Sequence, residues 1–168
     1  IYRVVESGSW SGGSFKLAIT SPPFAPALKK DYPEIEAAAR IDAEGGATLI
    51  NGDKKIEAGD MVFADNDILT VFRFPLLYGD PNTALTKPNS IVLTKTLAQK
   101  LFGNAEDALG KSLDIEHDQP SLITGVMQDQ PENAHLHPRA LRAMPPTVNA
   151  NDNWLDAYPY TYILLRKD

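Results

Sequence analysis

The sequence contains no cysteine, which removes disulfides, thiolate metal centres and cysteine nucleophiles from consideration. It also lacks an excess of positive charge: 16 Lys and Arg stand against 22 Asp and Glu, a formal net charge of −6. A chain that neutralises a phosphate backbone carries the opposite balance, so nucleic acid is not an expected partner. No apolar run approaches the roughly 18–20 residues that span a bilayer. No signal peptide is legible either, because the chain opens on Ile1-Tyr2-Arg3-Val4-Val5 without a Met. That opening looks like a strand cut from something longer. Glycine and proline, 11 and 13 residues, fall short of the share that marks disorder or low complexity. What remains is 168 residues, 43% hydrophobic and 23% charged. Such a chain suits one domain, or two small lobes on a shared core, and can bury enough apolar surface to fold.

Strand and helix signals alternate along it. Ile1–Val5 reads as a strand, Ser7–Ser14 as a flexible loop, and Phe15–Ile19 as a second apolar run. Ser21 is a candidate N-cap ahead of Pro22-Pro23, with Phe24, Ala27 and Leu28 on one helical face and Pro33 as the stop. Ile35–Ile41 reads as a strand broken by Gly45-Gly46. Asn51-Gly52 between Ala47–Ile50 and Asp53–Ile56 signals a tight hairpin, since both residues accept positive φ. Met61-Val62-Phe63 is a further strand, and Asp65 or Asn66 a cap for a short helix carrying Ile68, Leu69, Val71 and Phe72. Pro75–Asp80 closes that unit. Ser90–Thr94 reads as a strand, with Thr94 capping a helix over Lys95–Phe102 that Gly103-Asn104 ends. Leu113–Ile115 and Leu122–Met127 read as paired strands. Gln130–Asn153 reads as loop with one helix around Arg139–Ala143, and Tyr160–Leu165 as a last strand. No repeat of fixed period occurs. The interleaving with local hairpins gives an α+β class.

Chemistry is sparse. Gly110-Lys111-Ser112 imitates a phosphate loop, yet position 105 is Ala. A helix precedes it and a strand follows, the reverse of what the motif needs, so a turn is expected. His135 and His137 would share a face if they lay on a strand, with Asp129, Glu132 and Asp152 as oxygen donors. No His-Glu-x-x-His helix or third nearby His supports zinc, so a solvated or hydrogen-bonded pair is the plainer reading. A metal-dependent hydrolase using that pair ranks last among the functions considered. His117 belongs in an exposed turn. Asp65-Asn66-Asp67 lacks the Gly and distal Glu of a calcium loop, and Glu106-Asp107 are adjacent surface acids. There is no Gly-x-Ser-x-Gly elbow, and Ser11–Ser14 reads as a linker. Trp10 and Trp154 are candidate contact residues. No nucleophile, base and oxyanion donor assemble. The expectation is therefore no enzyme, with no catalytic, cofactor-binding or metal residues and no cofactor.

The order of several segments carries a resemblance. Ile1–Val4 is followed by Phe24–Ile35, then by Ala64–Asp80 with its Phe74-Pro75-Leu76-Leu77-Tyr78-Gly79-Asp80. Next come Ser90–Gly103, Gly110–Leu113, and Ile123–Leu136 with Asp129-Gln130-Pro131-Glu132-Asn133-Ala134-His135. In this order the chain resembles the MacB-like periplasmic core domain of FtsX-type ABC transporter permeases, in the form common in Bacteroidetes. It departs after His137, where Pro138-Arg139 replaces an aromatic-acidic pair. The resemblance implies porter-like βαβ units with a second, β-rich lobe, the Asn51-Gly52 hairpin and the Ser90–Gly103 unit lying in different lobes or at their junction. It implies one domain over residues 1–168, cut short at the C-terminus and without a transmembrane segment in this fragment. The implied setting is the periplasmic part of an inner-membrane protein that couples ATP-driven helix motion to cargo export or to a periplasmic partner. The implied partners are the parent chain's transmembrane helices, a second permease subunit, a cytoplasmic ATPase, and a periplasmic adaptor or cargo protein. A soluble periplasmic ligand-binding module is the alternative, and chain ends lying together would favour the permease reading.

Overall fold

The computed structural model describes residues 1–150 and 152–167. Thirteen strands and four α-helices follow one another along them. The first stretch holds β1 (Tyr2–Arg3), β2 (Glu6–Trp10), β3 (Gly13–Leu17), α1 (Phe24–Asp31) and β4 (Ile35–Gly45). Next come β5 (Thr48–Asn51), β6 (Lys54–Glu57), β7 (Met61–Ala64), α2 (Ile68–Val71) and β8 (Leu76–Gly79). The third stretch holds β9 (Ser90–Thr94), α3 (Lys95–Phe102), a 3₁₀ turn at Glu106–Ala108, β10 (Ser112–Ile115) and β11 (Ser121–Met127). The chain closes with β12 (Ala140–Ala143), α4 (Pro146–Asn149) and β13 (Tyr160–Leu165).

Eleven strands form one mixed sheet in the order β1-β13-β4-β7-β12-β9-β11-β10-β5-β6, with β8 paired to β11 off that path. Two neighbouring pairs, β7–β12 and β9–β11, are parallel. The α+β class therefore holds. Alternation along the strands sorts the core onto two faces. Ala37, Ala39, Ile41, Val92 and Leu141 join Ile68, Leu69 and Val71 of α2 in one cluster. Ile91, Leu93 and Ala140 point the other way and pack with Leu97, Ala98 and Leu101 of α3. Ala38 likewise turns from Ala37 to meet Ala25 and Leu28 of α1.

The β9–α3 unit matches the sequence expectation residue for residue. Thr94 Oγ1 accepts from the Leu97 amide at 3.4 Å, and Gly103, at φ 91°, closes the helix. The hairpin over residues 48–57 is also present, but its register centres the turn on Gly52-Asp53, because Asn51 pairs with Lys54. Only Gly52 takes positive φ there, which fits Gly at the first central position of a two-residue turn. This hairpin lies directly against α3. Asn51 Nδ2 and Lys54 Nζ donate to the Leu101 carbonyl at 3.0 and 3.1 Å, so it caps that helix's C-terminal end.

Several local expectations change. Ser7–Ser14 is not loop: Ser9 pairs with Ser14 and Trp10 with Gly13 in a two-stranded sheet, where glycines leave room for the Phe15 and Trp10 rings. Ser21 does not cap α1; its Oγ donates to the Trp154 carbonyl at 2.8 Å. Neither Asp65 nor Asn66 caps α2. Asp65 instead binds Arg40, and Asn66 Oδ1 accepts from the Leu85 amide. Residues 140–143 form a buried central strand rather than a helix, because β7 and β9 supply hydrogen bonds on both of its edges. Residues 76–79 add a strand.

Candidate functional site

Two regions of the molecule have functional character: the strand pair where the chain ends meet, and a cavity on the α2 face. At the first, β1 runs antiparallel to β13, with Tyr2 opposite Ile163 and Arg3 opposite Tyr162. Both ends of the chain therefore leave the Leu165 end of β13. The β2–β3 hairpin departs at the other end of that strand, since Ile19 bridges to Tyr160. The hairpin shows Trp10 61% exposed, with Phe15 and Leu17 beside it. Nearby, the Trp154 ring meets Phe24 edge-on at 5.4 Å, and Leu155 is 92% exposed.

The cavity has a volume of about 190 Å³ and is lined by Ile41, Val62, Phe74 and Leu141, with Asp60 and His135–Pro138 completing its wall. β4, β7 and β12 supply its floor because their alternate residues all turn to this face. Beside it lies an aromatic group. Phe72 meets Tyr162 edge-on at 4.9 Å and lies nearly parallel to His135 at 6.4 Å. His135 Nε2 is 2.9 Å from Tyr162 Oη. Burial pushes the Tyr162 phenol upward, partly offset by the neighbouring Arg3 guanidinium. The phenol thus stays protonated at neutral pH, and its contact with His135 ties the 131–138 segment to β13.

The sequence candidates are scattered across this frame. His135 and His137 border one cavity but make different contacts: His137 Nδ1 is 3.4 Å from the Ala134 carbonyl. Among the described residues, no three His, Asp or Glu side chains converge as metal ligands. Asp129 takes the Thr96 amide at 3.2 Å, at the start of α3 and away from that pair. Gly110 closes a turn at φ 75° and Ser112 opens β10, so no phosphate loop forms. His117 is exposed at φ 64°. Asp67 pairs with Lys29, and Glu106-Asp107 open the 3₁₀ turn. Sequence reading missed two buried arginines, Arg40 and Arg142, which bind Asp65 and Asp118. It also missed the Tyr162–His135 bond, whose partners lie 27 positions apart and carry no spacing signal.

A family model described as the MacB-like periplasmic core domain matches residues 1–167. Comparison with curated protein sequences gave no significant match. Among solved structures, a domain of a protein described as a permease from Porphyromonas gingivalis superimposes with a TM-score of 0.81 at 26% identity. The match covers 98% of this chain and 73% of that one. The periplasmic region of MacB from Actinobacillus actinomycetemcomitans gives 0.65 at 16% identity, over 89% of this chain and 66% of that one. The extracellular domain of the noncanonic ABC-type transporter YknZ from Gram-positive bacteria gives 0.62 at 14%, over 89% and 74%. The last two likenesses establish the shared fold.

Proposed function

The chain belongs to the MacB-like periplasmic core domain family as the periplasmic domain of an ABC transporter permease, and from that premise we propose that it is a non-catalytic coupling element. In this reading the parent chain's transmembrane helices enter and leave through the β1–β13 end. ATP hydrolysis by a cytoplasmic partner moves those helices. The rigid sheet carries the motion to the opposite end, where cargo or a periplasmic partner protein meets it in a dimer of permease subunits. The observation that carries the reading is the antiparallel register of Tyr2 with Ile163, which brings both chain ends to one place. A single eleven-stranded sheet with helices packed on both faces suits such transmission, because close-packed interiors pass strain rather than absorb it.

This domain has no cysteine, so a direct test is open in a transporter whose cysteines elsewhere are replaced. A lone cysteine at exposed Lys55 takes a spin label, and distances between the domains of two subunits are read in the reconstituted transporter with and without ATP. The expected result is a nucleotide-dependent shift that disappears when a flexible Gly-Ser segment follows Lys167. Equal distances in both states, or a shift that survives the flexible segment, would overturn the reading. The cavity beside His135 is the observation that favours the alternative, a ligand-binding module; stoichiometric ligand capture with unmoving domains would establish that instead.

A further inference from the structure

We propose that the cavity on the α2 face binds a small arylalkyl amine, its ring on the apolar floor and its ammonium at the Asp60 carboxylate. The inference goes beyond the coupling role and does not depend on it.

Size selects the first half of the ligand. The cavity holds about 190 Å³. Pockets for drug-sized molecules start near about 300 Å³, so a large ligand does not fit. An apolar cavity of about 150 Å³ accepts benzene, so a single ring with a short tail suits this one. The lining favours a ring as well. Ile41, Phe74 and Leu141 are buried residues fixed in the fold, and Val62 pairs directly with Leu141 across β7 and β12. The floor therefore comes from three adjacent strands, β4, β7 and β12, and is in place before any ligand arrives. Such walls offer water few hydrogen bonds, and a ring that displaces loosely held solvent gains affinity. Phe74 adds an aromatic neighbour for edge or offset contact.

The rim selects the second half. Asp60 and His137 complete the wall, and both are exposed. Among the described residues, no hydrogen bond or ion pair engages the Asp60 carboxylate. The Asp60 backbone carbonyl accepts from the Arg139 amide at 2.8 Å, while the Arg139 guanidinium donates to the Glu57 carbonyl at 3.2 Å. An ionised carboxylate only accepts hydrogen bonds. His137 Nδ1 lies 3.4 Å from the Ala134 carbonyl. A neutral imidazole bonded in this way carries its proton on Nδ1 and presents Nε2 as a second acceptor. His135 Nε2 is already engaged with Tyr162 Oη. Two acceptors at an apolar mouth, one of them anionic, call for a ligand that ends in donors and carries positive charge. A primary ammonium has three donors and no acceptor. The net charge of −6 favours the approach of a cation over an anion.

The test is a methyl NMR titration of the purified chain with phenethylamine at neutral pH. The Ile41, Val62, Leu136 and Leu141 methyls should shift along one saturating curve, with a dissociation constant of about 1 mM or below. 3-Phenylpropionate keeps the ring and reverses the charge, and should bind about tenfold more weakly. Butylamine keeps the charge without the ring and should leave these methyls unmoved. Asp60→Asn, at an exposed position, should bring phenethylamine and 3-phenylpropionate to within about twofold of each other. Val62→Phe fills the cavity with a ring of its own and should abolish the titration. Circular dichroism checks that both variants are folded, and Asp60→Asn alone carries the test if Val62→Phe is not. Cavity methyls that ignore phenethylamine would overturn the site. Equal affinity for the two ring compounds, or a preference for the amine that survives Asp60→Asn, would overturn the assignment of the ligand class.

Discussion

Arg40 is 4% exposed, yet each of its guanidinium nitrogens has an acceptor. Nε and Nη2 reach the two Asp65 oxygens at 2.8 Å each, and Nη1 reaches the Pro22 carbonyl at 2.9 Å. Asp65 Oδ2 also accepts the Arg40 amide at 2.8 Å. This joins β4 to the start of α2 and to the segment ahead of α1. Truncating the carboxylate strands a buried charge, which is the expensive way to break such a pair. Asp65→Ala should lower stability by about 3 kcal/mol, read as a reduced midpoint in urea unfolding, and a change under about 0.5 kcal/mol would refute it. Arg142 is held differently. Its Nη1 meets Asp118 at 2.7 Å and its guanidinium lies 4.8 Å over the Phe63 ring. The hydrogen bond from Arg142, followed by that from the Gln119 amide, holds the Asp118 carboxyl below its ordinary value. A lowered folded value means the carboxylate stabilises the fold in full above the unfolded value near pH 4, and loses that contribution as pH falls through the folded one. The stability gap between wild type and Asp118→Asn should accordingly be flat from about pH 5 to 7 and shrink below about pH 4. Because the Asp118 side chain is 44% exposed, salt should narrow the gap.

Among the elements, β8 depends on a single backbone position. Gly79 pairs with Gly125 at φ +98°, and a Cβ there would lie 2.4 Å from the Thr124 carbonyl oxygen and 2.9 Å from Gly125 Cα. Both obstacles are backbone, so no side chain can yield. Gly79→Ala should cost about 3 kcal/mol through combined overlap and left-handed strain, seen as a lowered Tm. An unchanged Tm would show that β8 is not held against β11. The same scale explains what was legible in the sequence. β9 and α3 could be read because Ile91, Val92 and Leu93 lead directly to a Thr cap, a helical stripe at Leu97, Ala98 and Leu101, and a terminal Gly. β12 was not, because Ala140-Leu141-Arg142-Ala143 has no β-branched residue and includes a charge. Its strand state comes from β7 and β9 on either side, which is a tertiary effect. The β2–β3 hairpin was hidden by Ser and Gly, whose composition reads as loop although the glycines serve the Trp10 and Phe15 rings. Of the Tyr162–His135 pair, His135 was a visible candidate for metal, but its real partner, Tyr162, sits on a strand brought there only by the fold.

For the whole molecule, the decisive feature is that residues 4–160 make a closed excursion. The chain starts beside β13, runs through the sheet and returns to form β13 itself, so β1 and β13 lie about one strand spacing apart. Ends placed this way should tolerate being joined, since a short flexible linker pulls on nothing. A circular permutant with the ends linked through about six Gly-Ser residues, and reopened between Gly52 and Asp53, tests the arrangement. The new break falls in an exposed two-residue turn outside the paired residues of β5 and β6. The Asn51 and Lys54 bonds to the Leu101 carbonyl remain available on both sides of it. The permutant should unfold cooperatively, within about 2 kcal/mol of the parent in urea. A permutant that folds only with a linker several times longer would mean that the ends are apart. That result would remove the geometric support for a domain entered and left through the β1–β13 end.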